Sequence, residues 1–280
     1  YLQGIAQRLI GDEWDFEAFP VYFAVSDNAG ANAAFCPNPR YEMKDGEYVK
    51  DKRGDKIPLK TVPMIFVTKG LFEYVKNEEF LKSNLHMCEK AIDFLKRYVR
   101  DVIDKTGNFH VSYDLWEMNE GVHLYSLASI NAAYNAMLKI YEIIEPEYKE
   151  NRLKLENIHK NIVRIKKQLE VMQKYVSQNL YNEKTKTLKR NIEDDKTDIS
   201  VLGSVYPFEM FGPKEKKVLN TIEKINLTLR TYTGGYLRFE QDSYRGGKNP
   251  WPISTLWMAM YYQKAGDNKK AKECIEFVVK

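Results

Sequence analysis

Leu155-Glu-Asn-Ile158-His-Lys-Asn-Ile162-Val-Arg-Ile165-Lys-Lys-Gln-Leu169-Glu-Val-Met172-Gln-Lys-Tyr-Val176 repeats an apolar residue at alternating steps of three and four. That period places the apolar residues on one stripe of a helix and the charged ones opposite. The stripe fits a coiled-coil seam or a face buried against neighbouring helices. The second reading is preferred, because the flanking segments have the same periodicity and need a surface to pack on. A helix is therefore predicted over about 147–180.

The same argument runs outward in both directions. Upstream, Leu124, Leu127, Ala128, Ala132, Tyr134, Leu138 and Tyr141 predict a helix that begins after Gly121 and is broken at Glu145-Pro146. Before it, Ala91, Phe94, Leu95, Tyr98, Val99 and Val102 mark another. Downstream, helices are predicted over 213–229, 254–265 and 268–280. Successive helices with short turns predict an all-α fold of helical hairpins. Residues 1–60 are different in kind: turn signals at Lys44-Asp45-Gly46 and Arg53-Gly54-Asp55 allow a small β-hairpin in an otherwise irregular N-terminal segment. The expected division is 1–60 and 61–280.

Composition narrows the function classes. The 280 residues are 44% apolar and carry a net charge of only +4, so lysines and glutamates read as solvated helix faces and not as a nucleic-acid surface. No run approaches the roughly 20 apolar residues of a membrane span, and the N-terminus lacks the basic-then-apolar layout of a signal peptide. Cys36, Cys88 and Cys274 are scattered and odd in number, which argues against a disulfide framework and for a reducing, cytoplasmic home. His86, His110, His123 and His159 show no metal-ligand spacing, and no glycine-rich phosphate loop is present. No cofactor or metal is implied. The start at Tyr1 and the uncapped amphipathic run into Lys280 read as a fragment.

Chemistry concentrates in two loops, each directly ahead of an apolar helix. One is Tyr113-Asp114-Leu115-Trp116-Glu117; the other is Gly235-Tyr-Leu-Arg238-Phe-Glu-Gln-Asp242-Ser-Tyr244, followed by Asn249-Pro-Trp251. Flat rings stack on sugar faces and planar charged groups grip hydroxyls in pairs, so the combination points to carbohydrate. Taken with Gly121-Val-His-Leu-Tyr-Ser126, Asp198-Ile-Ser-Val-Leu-Gly203 and Pro252-Ile-Ser-Thr-Leu-Trp257, in this order from about Ile57 to Lys280, the chain resembles the glucoamylase family, glycoside hydrolase family 15.

The resemblance implies an α/α toroid, incomplete in this chain, and an inverting exo-acting α-glucosidase that takes an α-glucan or disaccharide. It implies Glu117 as general acid, Arg238 as the sugar-gripping arginine and Asp242 as the acid that orients it. Asp114 would bind or position, and Trp116, Tyr244 and Trp251 are candidate stacking platforms. Two departures stand out: Met118 occupies a position where many members carry a second Glu, and Thr61-Val62 replaces an Asp-Glu pair. The family's catalytic base is expected beyond Lys280, so this chain alone is expected to hydrolyse maltose or starch negligibly. A trehalase of the same family is a close variant, and a non-catalytic regulatory or interaction module the rival. Oligomeric state, linkage and chain-length preference are not legible.

Overall fold

A computed structural model of the chain describes residues 41–44, 47–50, 78–102, 112–116 and 118–279. Two strands, β1 (Tyr41–Lys44) and β2 (Glu47–Lys50), pair antiparallel with Tyr41 opposite Lys50, which is the hairpin the Lys44-Asp45-Gly46 turn signal anticipates. Among the described residues every long element after them is helical: α1 (Glu78–Val102), α2 (Leu124–Ile144), α3 (Arg152–Asn179), α4 (Lys216–Thr228), α5 (Pro252–Ala265) and α6 (Asn268–Val279).

The chain divides into two compact units. The first is Tyr1–Tyr113 with Ala132–Glu170, and the second is Asp114–Asn131 with Val171–Lys280.

In the first unit, the apolar stripes expected on α2 and α3 line the core, whereas the burial of the one expected on α1, Ala91 to Val102, lies outside the described residues. Leu81, Cys88 and Ile92 of α1 are buried, as are Tyr134, Met137, Ile140, Tyr141 and Ile144 of α2 and Ile158, Ile165 and Leu169 of α3. The stripe on α3 is thus a buried face. Three helices are also joined by one polar cluster: Asn161 donates to the Tyr141 hydroxyl at 2.8 Å, Tyr141 donates to Glu89 at 3.5 Å, and Lys154 pairs with Glu89 at 2.7 Å. The helix expected from about residue 147 starts at Arg152, because Pro146 holds Glu145–Tyr148 as a 3-10 turn and the Asn151 side chain then caps the new helix at Lys154 N.

In the second unit, Met172 and Val176 of α3, Val218, Ile222 and Ile225 of α4, and Trp257, Met258, Tyr261 and Tyr262 of α5 are buried. Helices α5 and α6 form a hairpin whose turn is dictated by Gly266. It takes φ 89°, a left-handed cap, while Asp267 donates back to Tyr262 O at 2.8 Å and its side chain caps α6 at Lys270 N. Among the described residues no helix is long and apolar enough to cross a membrane.

Candidate active site

Three chain segments meet in the second unit. The first is the loop after Tyr113. Asp114 N–H donates to Asn119 O at 2.8 Å, and the buried Asp114 carboxylate receives Met118 N–H at 2.9 Å and Asn119 Nδ2 at 2.6 Å. Both oxygens of Asp114 therefore hold the loop in shape. Met118 is nearly half exposed. Glu117, the expected general acid, lies outside the described residues, and so does its expected approach to within about 12 Å of Arg238.

The second segment is the turn that begins at Asp198, an extended residue whose carboxylate caps a 3-10 turn, Ile199–Ser204, by accepting Ser200 N–H at 2.8 Å. The same carboxylate accepts the Trp116 indole Nε1–H, at 3.1 and 3.2 Å from its two oxygens. Only 1% of Asp198 is exposed, and burial pushes its carboxyl up to about 6, against the pull of the Ser200 and Trp116 bonds and of Arg190.

The third segment is the Arg238 loop, paired to the second through the backbone. Ile199 N–H donates to Arg238 O at 2.8 Å, and Glu240 N–H to Thr197 O at 2.9 Å, with Asp198 opposite Phe239 in an antiparallel bridge. Glu240 adds a side-chain staple, accepting Thr197 N–H at 2.7 Å. Arg238 grips Asp242 through two parallel bonds, Nε to Oδ2 and Nη2 to Oδ1, both 2.7 Å. Burial alone would raise the Asp242 carboxyl; the Arg238 bonds and Tyr244 N–H hold it below the ordinary range.

Around that guanidinium stand four rings. Its carbon lies 4.3 Å from the Trp251 centroid, 5.2 Å from Phe239, 5.3 Å from Tyr244 and 5.5 Å from Trp116. These are cation–π distances. Tyr244 and Trp251 also contact each other at 5.2 Å. The loop's return depends on Gly247, at φ 76°, where a Cβ would stand 2.9 Å from the Asp242 carbonyl oxygen. Of the candidate residues, Trp116, Arg238, Asp242, Tyr244 and Trp251 are thus gathered into one cluster, with Asp114 shaping the loop that brings Trp116 there.

The family model for "Glycosyl hydrolases family 15" matches residues 66–277. The chain belongs to this family. It is similar to an uncharacterized glycosyl hydrolase of Methanocaldococcus jannaschii, at 28% identity over 199 residues, covering 70% of this chain and 29% of that protein. It is also similar to trehalase 2 of Sulfolobus acidocaldarius, at 36% identity over 62 residues, or 22% of this chain and 11% of that enzyme. The chain thus spans under a third of the length of either relative. Among solved structures, a glucoamylase from Saccharomycopsis fibuligera superposes with TM-score 0.61 at 14% identity, over 96% of this chain and 63% of that one. That likeness shows the fold, the helical toroid expected from the resemblance.

Sequence reading passed over one cluster that the fold brings to the site. Arg190 is buried and paired with Asp194, Nε to Oδ1 at 3.0 Å and Nη2 to Oδ2 at 2.5 Å, while its Nη1 lies 3.7 Å from Asp198 Oδ2. The repeated Arg-x-x-x-Asp spacing, Arg190 to Asp194 and Arg238 to Asp242, is the signal that could have found it. Three carboxylates of this unit that a search for a base would meet are already engaged: Glu209 with Lys264, Glu240 with Thr197, Asp242 with Arg238. Two cavities of about 410 and 650 Å³ also open in this unit. The first is lined by Arg230, Tyr236, Tyr262, Lys270 and Phe277, and the second by Val176, Tyr181, Leu188 and Phe211. Neither includes Trp116 or Arg238. No cluster suited to a metal ion occurs among the described residues.

Proposed function

We propose that this chain carries part of the sugar-binding site of an inverting, exo-acting α-glucosidase of the glucoamylase type. The observation that supports the reading best is the Arg238–Asp242 pair, held rigid by two bonds and surrounded by Trp116, Phe239, Tyr244 and Trp251. A guanidinium fixed in this way offers donors to sugar hydroxyls, and the rings around it offer apolar faces to sugar C–H surfaces.

In this reading Glu117 is the general acid, protonating the leaving glycosidic oxygen. A second carboxylate, across a gap of about 6.5 to 9.5 Å, activates water on the opposite face of the sugar. Arg238 and Asp242 bind, Asp114 positions the loop, and Trp116, Tyr244 and Trp251 stack. The glycosidase-like domain begins near residue 61. A trehalase is the second reading, favoured by the local match to trehalase 2.

Calorimetry of the chain with maltose and with trehalose tests both. One of the two is expected to bind, with binding lost in Arg238→Ala and kept in Glu117→Gln. The Glu117→Gln change lowers glucose release by about 10²- to 10⁴-fold in any form of the protein that turns over. A folded chain that binds neither disaccharide sinks the proposal.

A further inference from the structure

Asp198 occupies a position that neither the loop of Glu117 nor the loop of Arg238 explains alone. Its backbone is part of the bridge to Phe239, flanked by the Ile199-to-Arg238 and Glu240-to-Thr197 bonds. Its side chain reaches the other way, to the indole Nε1–H of Trp116, 82 residues earlier. It thus fastens the Trp116 loop to the Arg238 loop. We infer that Asp198 is a positioning residue for the sugar site: by holding the Trp116 indole it fixes that ring beside Arg238, and with it the loop whose next residue is Glu117.

The geometry argues for an oriented ring over simple core packing. Trp116 is only half-buried and Asp198 is almost wholly buried. A carboxylate taken out of water is costly unless several donors compensate it. Here the compensation comes from Ser200 N–H, the indole and the guanidinium of Arg190. Arg190 Nη1 is itself buried and has no hydrogen-bond partner among the described residues, so it faces Asp198 as an unspent donor. The other charged groups nearby are committed: Asp194 to Arg190, Asp114 within its own loop, Arg238 to Asp242, and Glu240 to Thr197 N–H. Protonation of Asp198 would weaken its hold on the indole, and the burial that raises this carboxyl into the mildly acidic range makes that step observable.

The experiment is indole ¹⁵N–¹H NMR of the chain, with Trp116→Phe identifying one resonance among those of Trp14, Trp116, Trp251 and Trp257. The Trp116 signal is expected to move as pH passes through about 6, and to lose that titration in Asp198→Asn. A Trp116 resonance that neither titrates nor responds to Asp198→Asn overturns the proposal, whether or not any sugar binds. The consequence for the sugar rests on the glucosidase reading and is measured separately. In Asp198→Ala, maltose binding is expected to weaken about tenfold, the loss of one charge-assisted hydrogen bond, with partial recovery in Asp198→Asn. Unchanged maltose binding in a folded Asp198→Ala chain removes the positioning role while leaving the sugar site intact. If the wild type binds no maltose, the indole signal alone decides for or against the positioning role.

Discussion

Arg190 and Arg238 make the same local structure and lead different lives. Each reaches an aspartate four residues on through two parallel bonds, and each lies against Phe239, at 5.7 and 5.2 Å. Around Arg238 three further rings close in, and only 3% of its partner's side chain is exposed. Arg190 has no such enclosure among the described residues, its partner Asp194 is about a third exposed, and its spare amino group turns to Asp198. The contrast teaches that the spacing supplies the staple, whereas the aromatic surroundings set apart the one proposed to serve a ligand.

Removing each guanidinium should break that comparison open. Arg238→Ala leaves Asp242 buried without its counter-charge, a loss of about 3–5 kcal/mol. Arg190→Ala is expected to cost less, since water can reach Asp194, and buried Asp198, which also loses a counter-charge, keeps the Ser200 and Trp116 donors. Urea unfolding of the two variants checks the order; a costlier Arg190→Ala would mean that enclosure is not what separates the pairs.

The pH dependence follows from the same contrast, with signs that oppose. The raised Asp198 carboxyl contributes stability that is complete below its ordinary value of 3.8 and is lost as pH rises through about 6. The depressed carboxyls of Asp194 and Asp242 contribute stability that is present above 3.8 and is lost as pH falls through their lowered values. Between pH 5 and 7.5 only the first of these changes, so the wild type should lose about 1 kcal/mol over that range and Asp198→Asn should lose less. Equal slopes in the two proteins would remove Asp198 from the account.

How much of this was legible beforehand differs by scale. The helices were legible because their stripes repeat within one segment: Ile158, Ile165, Leu169, Met172 and Val176 are buried as their spacing required. Helix starts were less so, since the beginning at Arg152 depends on the Asn151 cap after a proline turn, and that at Lys216 follows Glu215, whose side chain makes no capping bond and accepts Gly212 N–H instead. At the site, the rings and Arg238 stood out by residue type. Asp198 stood only as the first residue of a quoted segment with no role assigned, because its part in the site lies in a side-chain bond spanning 82 residues and a bridge to Phe239, neither of which leaves a local pattern.

The turn after Tyr244 sharpens the comparison, because it shapes the Arg238 side alone. Gly247 combines φ 76° and ψ 173° with an Asp242 carbonyl oxygen 2.9 Å from where a Cβ would be. Gly247→Ala should cost about 1–3 kcal/mol. Gly246, at φ 88° with open space around it, should tolerate alanine better. Calorimetric melting of the pair separates backbone strain from contact, and equal costs would assign the effect to φ alone.

The smallest expected effect asks what the rings around Arg238 are for. Tyr244 is 47% exposed and 5.3 Å from the guanidinium, whereas Trp251 is half-buried and only 4.3 Å away. An exposed cation–π contact is worth about 0.5–1 kcal/mol, and a more desolvated one about 2. Tyr244→Leu should therefore lower stability by about 0.5 kcal/mol, less than Trp251→Leu. If the exposed ring is kept for a sugar face, its loss should weaken maltose binding by more than it weakens the fold. Urea unfolding and calorimetry on the same variant give the two numbers, and a Tyr244→Leu chain that loses stability but no affinity would make the enclosure of Arg238 a device for holding the loop, as Asp194 does for Arg190.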